Sequence, residues 1–379
     1  MSTIKSVYLQ HLNGTTPNAT MDTNGNFTVG GTVSGASSNM FRNRIINGDM
    51  RIDQRNAGAS VTASTGNPYT VDRWTAISSQ NSKFTIQQNA GSVTPPAGFV
   101  NYLGITSSSA YTVGSSEQFL IRQNIEGFNT ADLAWGTSNA KTVTLSFWVR
   151  SSLTGTFGGA LYNNDGSRSY PFTYTISAAN TWEYKTITIS GDTAGTWQTT
   201  TSVGVTVDFG LGVGSTLSGT AGTWASAYYG SATGTTSVVG TSGATWYVTG
   251  VQLEVGTTAT PFEFRSYGHE LALCQRYYEK SYNVDVAPGT VTSAGQVLGI
   301  RGNGAFIIQA RFMALKRANP SITVYSPTSG TSGKVRNLQS GLDENAGSSA
   351  EGHAGINIQG TSATLQESFA AHWVAAIEL

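Results

Sequence analysis

From Asn43 onward, short runs alternate apolar and polar residues with a period of two, split by Gly/Ser/Asn clusters. YTVDRWTAI, KFTIQQN, FVNYLGI, SEQFLIRQNI, KTVTLSFWVRS, TFGGALYNN, WEYKTITIS, VGVTVDFGLGV and TWYVTGVQLEV all read this way. In the run from Lys141 to Arg150, Val143, Leu145, Phe147 and Val149 fall on one face. From Trp182 to Ile189, Trp182, Tyr184, Thr186 and Thr188 share a face, and Ile187 and Ile189 take the other. Period-two runs punctuated by turn residues predict an antiparallel sandwich or barrel. This number of strands over residues 41–264 suits a jelly-roll-like sandwich. The segment 211–246, rich in Gly, Ser and Thr, reads as a long surface excursion between two core strands.

The period changes at residues 265–280. RSYGHELALCQRYYEK places Leu271, Cys274 and Tyr278 at i, i+3 and i+7, one stripe of a helix. Ser266 serves as N-cap and Glu270 lies in the first turns, where the helix dipole favours it. The pattern predicts a linking helix over 267–279. Beyond it, QVLGI, AFIIQARF, SITVYS, AGINIQG and FAAHWVAAIEL predict a small C-terminal β domain over 281–379. Residues 1–40 carry few apolar side chains and cannot offset their own ordering entropy. Asn24-Gly25 favours a hairpin turn with Met21 on one side and Phe27 and Val29 on the other. The segment is therefore either a disordered leader or a stalk that folds only when identical chains wrap together. The fold class expected is mostly β, with one linking α-helix.

Composition narrows the function classes. Only 11% of the residues are charged, and 21 Lys+Arg balance 21 Asp+Glu. Zero net charge leaves no electrostatic footprint for nucleic acid or an anionic membrane. One Cys excludes an intramolecular disulfide framework. MSTIKSVYLQHLNG lacks the apolar core of a signal peptide, and no run approaches the ~20 apolar residues that span a bilayer. The expectation is a soluble product made in the cytosol, without membrane insertion.

Hydrolysis of sugar polymers needs two carboxylates at one glycosidic bond. Asp72, Glu183 and Asp208 lie beside aromatics, yet sparse, scattered acids are better read as surface or turn residues. No G-x-S-x-G elbow, H-E-x-x-H pair or P-loop occurs. His11, His269, His353 and His372 lack metal-ligand spacing; His269 and His372 read as polar partners at packing surfaces. Asn163-Asn164-Asp165-Gly166 supplies oxygens that suit calcium, but is equally a good hairpin turn, the reading preferred. No cofactor is expected. Tyr and Trp offer flat apolar faces with a polar edge, to which the apolar face of a sugar ring is complementary. Trp197, Trp224, Tyr228 and Tyr229, set among loop-like neighbours, are the candidate glycan contacts, whereas Trp74, Trp148 and Trp246 belong to strand-like runs and are expected in the core.

FRNRIINGDMRIDQRNAG, then YTVDRW, TLSFWVRSS and WYVTGVQLEVGTTATPFEFRSYGHELALCQRYYEKS resemble, in phrase and order, a recurring tail-fibre protein of bacteriophages, including cyanophages. FAAHWVAAIEL is similar to the ending of the same proteins. The resemblance implies a sandwich similar to carbohydrate-binding modules, a homotrimeric fibre and a role in host attachment, and supplies no catalytic residues. It places the chain in the virion, joined through its N-terminus to a tail, baseplate or capsid protein, with a host surface glycan or lipopolysaccharide as receptor. Leu271, Cys274 and Tyr278 would then face a threefold axis, or else pack only on their own sandwich. The rival functions are a polysaccharide-degrading tailspike and a structural decoration protein.

Overall fold

A computed structural model describes residues 41–300, 306–360 and 367–379, and the backbone of three short strands before them. Residues 1–42 and 43–379 form separate compact units. In the first, Ala19–Met21 pairs antiparallel with Phe27–Val29, Met21 opposite Phe27, as the Asn-Gly signal predicts. Tyr8–Leu9 pairs with Ala19–Met21 on its other edge, and the remainder of the expected leader or stalk, His11 included, lies outside the described residues.

All nine expected sandwich runs contain a strand. The chain alternates between two antiparallel sheets in jelly-roll manner. One sheet has six strands in the order Glu183–Ile189, Val143–Ser151, Thr245–Val255, Leu103–Ser107, Phe84–Gln88 and Val61–Thr62. The other has five, in the order Ser169–Ile176, Gly155–Tyr162, Val203–Val213, Gln118–Glu126 and Thr75–Ser78. Ser169–Ile176 was not expected, because it contains Pro171; a sheet accepts proline at an edge, and this strand is an edge.

Alternation fixes which side chains enter the core. Val143, Leu145, Phe147 and Val149 are all fully buried between the sheets. Phe147 meets Phe209 and Tyr174 of the opposite sheet, each at 5.0 Å between ring centroids. The Trp246 indole N–H reaches across to the Tyr174 hydroxyl at 3.0 Å. Burying each such side chain contributes about 1.5–3 kcal/mol. Trp74 and Trp246 are in the core as expected. Trp148 is not: with Phe147 and Val149 pointing inward, it stands half-buried on the outward face.

The segment 211–246 is not a free excursion. Val238 and Val239 are fully buried, and Ser218–Gly219 and Ser231–Ala232 form a small parallel pair over the five-stranded sheet. Glycines on that sheet's outer face admit it: a Cβ on Gly158 or Gly210 would meet the Ser231 hydroxyl at 2.7 or 2.9 Å.

The helix runs only Tyr267–Gln275. Tyr278–Lys280 is a strand paired with the end of Ser368–Ala376, so Tyr278 leaves the expected helical stripe. Cys274 and Tyr278 are buried within the chain, and Leu271 packs with Cys274 against Ile46, Ile52 and Tyr277. The expected threefold-axis stripe is thus occupied inside the subunit. Ser266 holds the N-cap position without a side-chain cap bond. Glu270 is buried, accepts from the Asn47 backbone N–H at 2.5 Å and pairs with Arg265 at 3.3 Å.

The terminal block contains every expected strand, gathered around Ser368–Ala376, which pairs with Tyr278–Lys280, Val297–Ile300, Ser321–Tyr325 and Lys334–Asn337. It has its own core of Ile308, Val335, Ile358, Phe369 and Trp373. It is nonetheless part of the 43–379 unit rather than a detached domain. Arg276 grips the buried Glu126 of the sandwich at 2.6 and 2.8 Å, and Arg55 and Arg73 both pair with Glu378. His372 is buried there, bonded to the Ser281 hydroxyl and the Thr292 carbonyl, each at 2.9 Å; His269 is exposed rather than at a packing surface.

Candidate functional site

The loop 218–239 leaves part of the outer face of the five-stranded sheet uncovered. There a cleft of about 330 Å³ opens, lined by Gln118, Arg122, Asn124, Tyr162, Asn164, Asp165, Gly166, Val203, Thr206 and Tyr228. Its floor comes from neighbouring strands. Asp208 lies directly opposite Arg122 in register, and the guanidinium binds the buried carboxylate through Nε at 2.8 Å and Nη2 at 2.9 Å. Burial pulls the Arg122 pKa down, but the Asp208 charge and hydrogen bond, with Tyr162 and Tyr228, together move it up, so the cation is fixed.

Tyr228, a candidate from the sequence, closes one wall. Its hydroxyl donates to Gln118 Oε1 at 2.7 Å and accepts from Arg122 Nη2 at 3.2 Å. Burial, with Asp208 nearby, pushes its pKa up to about 12, so it stays a neutral donor. Its ring meets Tyr162 edge to face at 5.1 Å. The opposite rim is the hairpin at 163–168. Asn163 Oδ1 accepts the Arg168 backbone N–H at 3.0 Å, and Asp165 Oδ1 accepts that of Ser167 at 3.0 Å. These oxygens close a turn, the preferred reading over calcium, and the Ser167 N–H holds the Asp165 carboxyl below its ordinary range. Gly166 permits the turn with φ +69°, and a Cβ there would meet Tyr228 at 3.3 Å. The Asn164 amide makes no hydrogen bond among the described residues and faces water with Asp165. The cleft therefore offers one aromatic from a strand, one from the overlying loop, and open amide and carboxylate groups at its mouth.

The other candidates are placed elsewhere. Trp197 and Trp224 form an edge-to-face cluster with Trp135: the Trp135–Trp197 centroids are 4.7 Å apart, Trp135–Trp224 5.4 Å and Trp197–Trp224 5.5 Å. Their indole N–H groups donate to the Ala194 and Ser190 carbonyls at 3.1 and 2.8 Å. The cluster packs on the core with Trp197 and Trp224 only partly buried, and Trp135 and Trp197 line a third cleft of about 190 Å³. Tyr229 packs on Gly219, where a Cβ would meet its ring at 2.4 Å.

The three acids do not converge. Asp72 is fully buried and accepts from Gln54, Asp208 is held by Arg122, and Glu183 on the other sheet pairs with Lys185 at 2.6 Å. Arg122 and Gln118 were not singled out in the sequence, and Asn164 was considered there only as a turn or calcium residue. Pairing register, which brings Arg122 and Asp208 together, is the signal that composition lacks.

No family model and no curated protein matches the chain. Several solved structures are similar in part. A family 4 carbohydrate-binding module is 17% identical, covering 55% of this chain and 98% of its own, with a TM-score of 0.28. A family 11 carbohydrate-binding module from Clostridium thermocellum in complex with a β-1,3-1,4-mixed-linked tetrasaccharide is 11% identical, covering 53% and 98%, with a TM-score of 0.25. TmCBM61 in complex with β-1,4-galactotriose is 10% identical, covering 48% and 88%, with a TM-score of 0.25. At these values the likeness assigns neither ligand nor activity to this chain.

Proposed function

We propose that the chain is a non-catalytic glycan-binding subunit of a phage tail fibre, adhering to host surface polysaccharide or lipopolysaccharide through the cleft beside Arg122 and Tyr228. The observation that carries the reading is the cleft itself. Tyr162 from a strand, Tyr228 from the loop over the sheet and open hydrogen-bonding groups converge there, the composition of a site that orients a polar ligand with an apolar face. The engagement of Asp72, Asp208 and Glu183 with other partners favours adhesion over hydrolysis. The phrases shared with phage tail-fibre proteins supply the setting: a homotrimer, joined to another virion protein through the N-terminal segment, in the virion after assembly in the host cytoplasm. Three copies per fibre and several fibres per particle multiply a weak single-site affinity. The test is binding of purified, intact protein to immobilised bacterial surface polysaccharides, with Asn164→Ala/Tyr228→Phe as the cleft variant and polymer length followed in parallel.

A further inference from the structure

A second cleft, of about 370 Å³, lies on the outer face of the six-stranded sheet and is lined by Phe99, Trp148, Tyr184, Gly250, Phe262, Phe264 and the 259–261 turn. Trp148 and Tyr184 are direct cross-strand partners, their ring centroids 5.3 Å apart. The opposite wall is a cluster of Phe99, Phe262 and Phe264, with centroids 4.9–5.2 Å apart. Gly250, at φ +62°, makes the junction: a Cβ there would meet Phe99 at 2.7 Å and Trp148 at 3.2 Å. These rings stay open to water, Tyr184 being 42% and Phe264 55% exposed.

The polar edges distinguish this group from a patch of core. Trp74, Trp135, Trp182, Trp197, Trp224 and Trp246 all donate their indole N–H within the chain. Trp373 is buried without a partner. The Trp148 N–H has no partner among the described residues and is not enclosed, and the Tyr184 hydroxyl is likewise unbonded. Two adjacent aromatic rings thus present apolar faces and unused donors to solvent, where Trp and Tyr mark recognition surfaces. No Lys, Arg, Asp or Glu lines the cleft.

We propose that this cleft is a second glycan site, which stacks the apolar C–H face of an uncharged sugar ring on Trp148 and Tyr184 while their N–H and O–H groups bond its hydroxyls. The absence of charge selects a neutral saccharide over an anionic one. The proposal takes from the preceding reading only the ligand class; the site lies on the other sheet and acts independently of the Arg122 cleft.

The test is affinity electrophoresis of the intact protein through gels containing hydroxyethylcellulose, galactomannan or pullulan. The expected result is retardation by at least one polymer, weakened at least tenfold in Trp148→Ala and in the surface variant Tyr184→Ala. Trp148→Phe should keep binding within threefold. Retardation by none of the three polymers overturns the proposal, as does retardation indifferent to both alanine variants. Retardation lost only in Asn164→Ala/Tyr228→Phe overturns it while supporting the Arg122 cleft. Tyr184→Ala keeps the test decisive should Trp148→Ala fail to fold.

Discussion

Asp72 shows how a residue beside a tryptophan in sequence becomes structural rather than chemical. It is fully buried, with its carboxylate accepting from the Gln54 backbone at 3.0 Å and the Gln54 side chain at 2.5 Å. Burial raises its pKa to about 7, against the opposing pull of Arg55 and Gln54. An acid with a raised native pKa binds more protons folded than unfolded between the two values, so stability is highest below the unfolded pKa and falls as pH climbs to the native one. Urea midpoints of wild type and Asp72→Asn between pH 4 and 8 should therefore diverge, wild type losing ground as pH rises from about 4 to about 7 and the difference then levelling. Parallel curves across that range would show that the native carboxyl titrates normally. The burial of Asp72 could not be read from sequence, because it depends on the Gln54 loop folding over it; the inward set Val143, Leu145, Phe147 and Val149 could, because two-residue periodicity needs no partner to be recognised.

Elements were legible where one face is buried and hidden where it is not. The polar strands Lys334–Asn337 and Asp343–Ser349 have no apolar alternation, and Ser169–Ile176 carries a proline, so none was expected. The helix was placed correctly at its start but drawn four residues too long, because Tyr278–Lys280 finds backbone partners at Val374–Ala376 that no local pattern reveals. The same long-range effect decides the fate of Trp197 and Trp224: loop composition suggested exposure, yet Trp135 from another loop gathers them into one cluster. The phrase NRIINGDMRIDQRN is among those that carry the resemblance, and its role here is architectural. Asn43 and Asn47 are buried, bonded to the Val251 and Ile52 backbones and joined through Arg265 and Glu270 to the helix. The glycines under the 218–239 loop make the other element-scale prediction. Gly210→Val would press on Ser231 and the Gly158 carbonyl, now 2.9 and 3.1 Å from a Cβ position. Overpacking of this kind costs about 1–3 kcal/mol. Hydrogen exchange should show lost protection in residues 218–239 first; unchanged protection there would mean that the loop does not depend on those glycines.

At the scale of the molecule, two cores support one unit, and the terminal sheet leaves apolar side chains in water. Leu298, Ile300 and Leu342 are 61%, 70% and 65% exposed in the single chain. Isolated surface leucines are ordinary, but an accumulation of them in one small block favours association. Cys274 and Tyr278 are buried inside the subunit and Leu271 is partly buried there, so these exposed residues of the terminal block are the ones we propose for self-assembly. Light scattering at micromolar concentration should report three chains per particle, and a monomer there would refute the trimer. The two clefts, by contrast, lie on the outer faces of the sandwich, where neighbouring strands bring together residues more than 80 positions apart, as with Arg122 and Asp208.

The central claim is adhesion without cleavage, and binding of the intact protein to bacterial surface polysaccharides, with polymer length recorded in the same samples, tests it most directly. The account predicts that wild type binds at least one polymer, that Asn164→Ala/Tyr228→Phe binds it at least tenfold more weakly, and that chain length stays constant. Failure to bind any polymer, binding indifferent to the cleft variant, or release of shortened chains would contradict it.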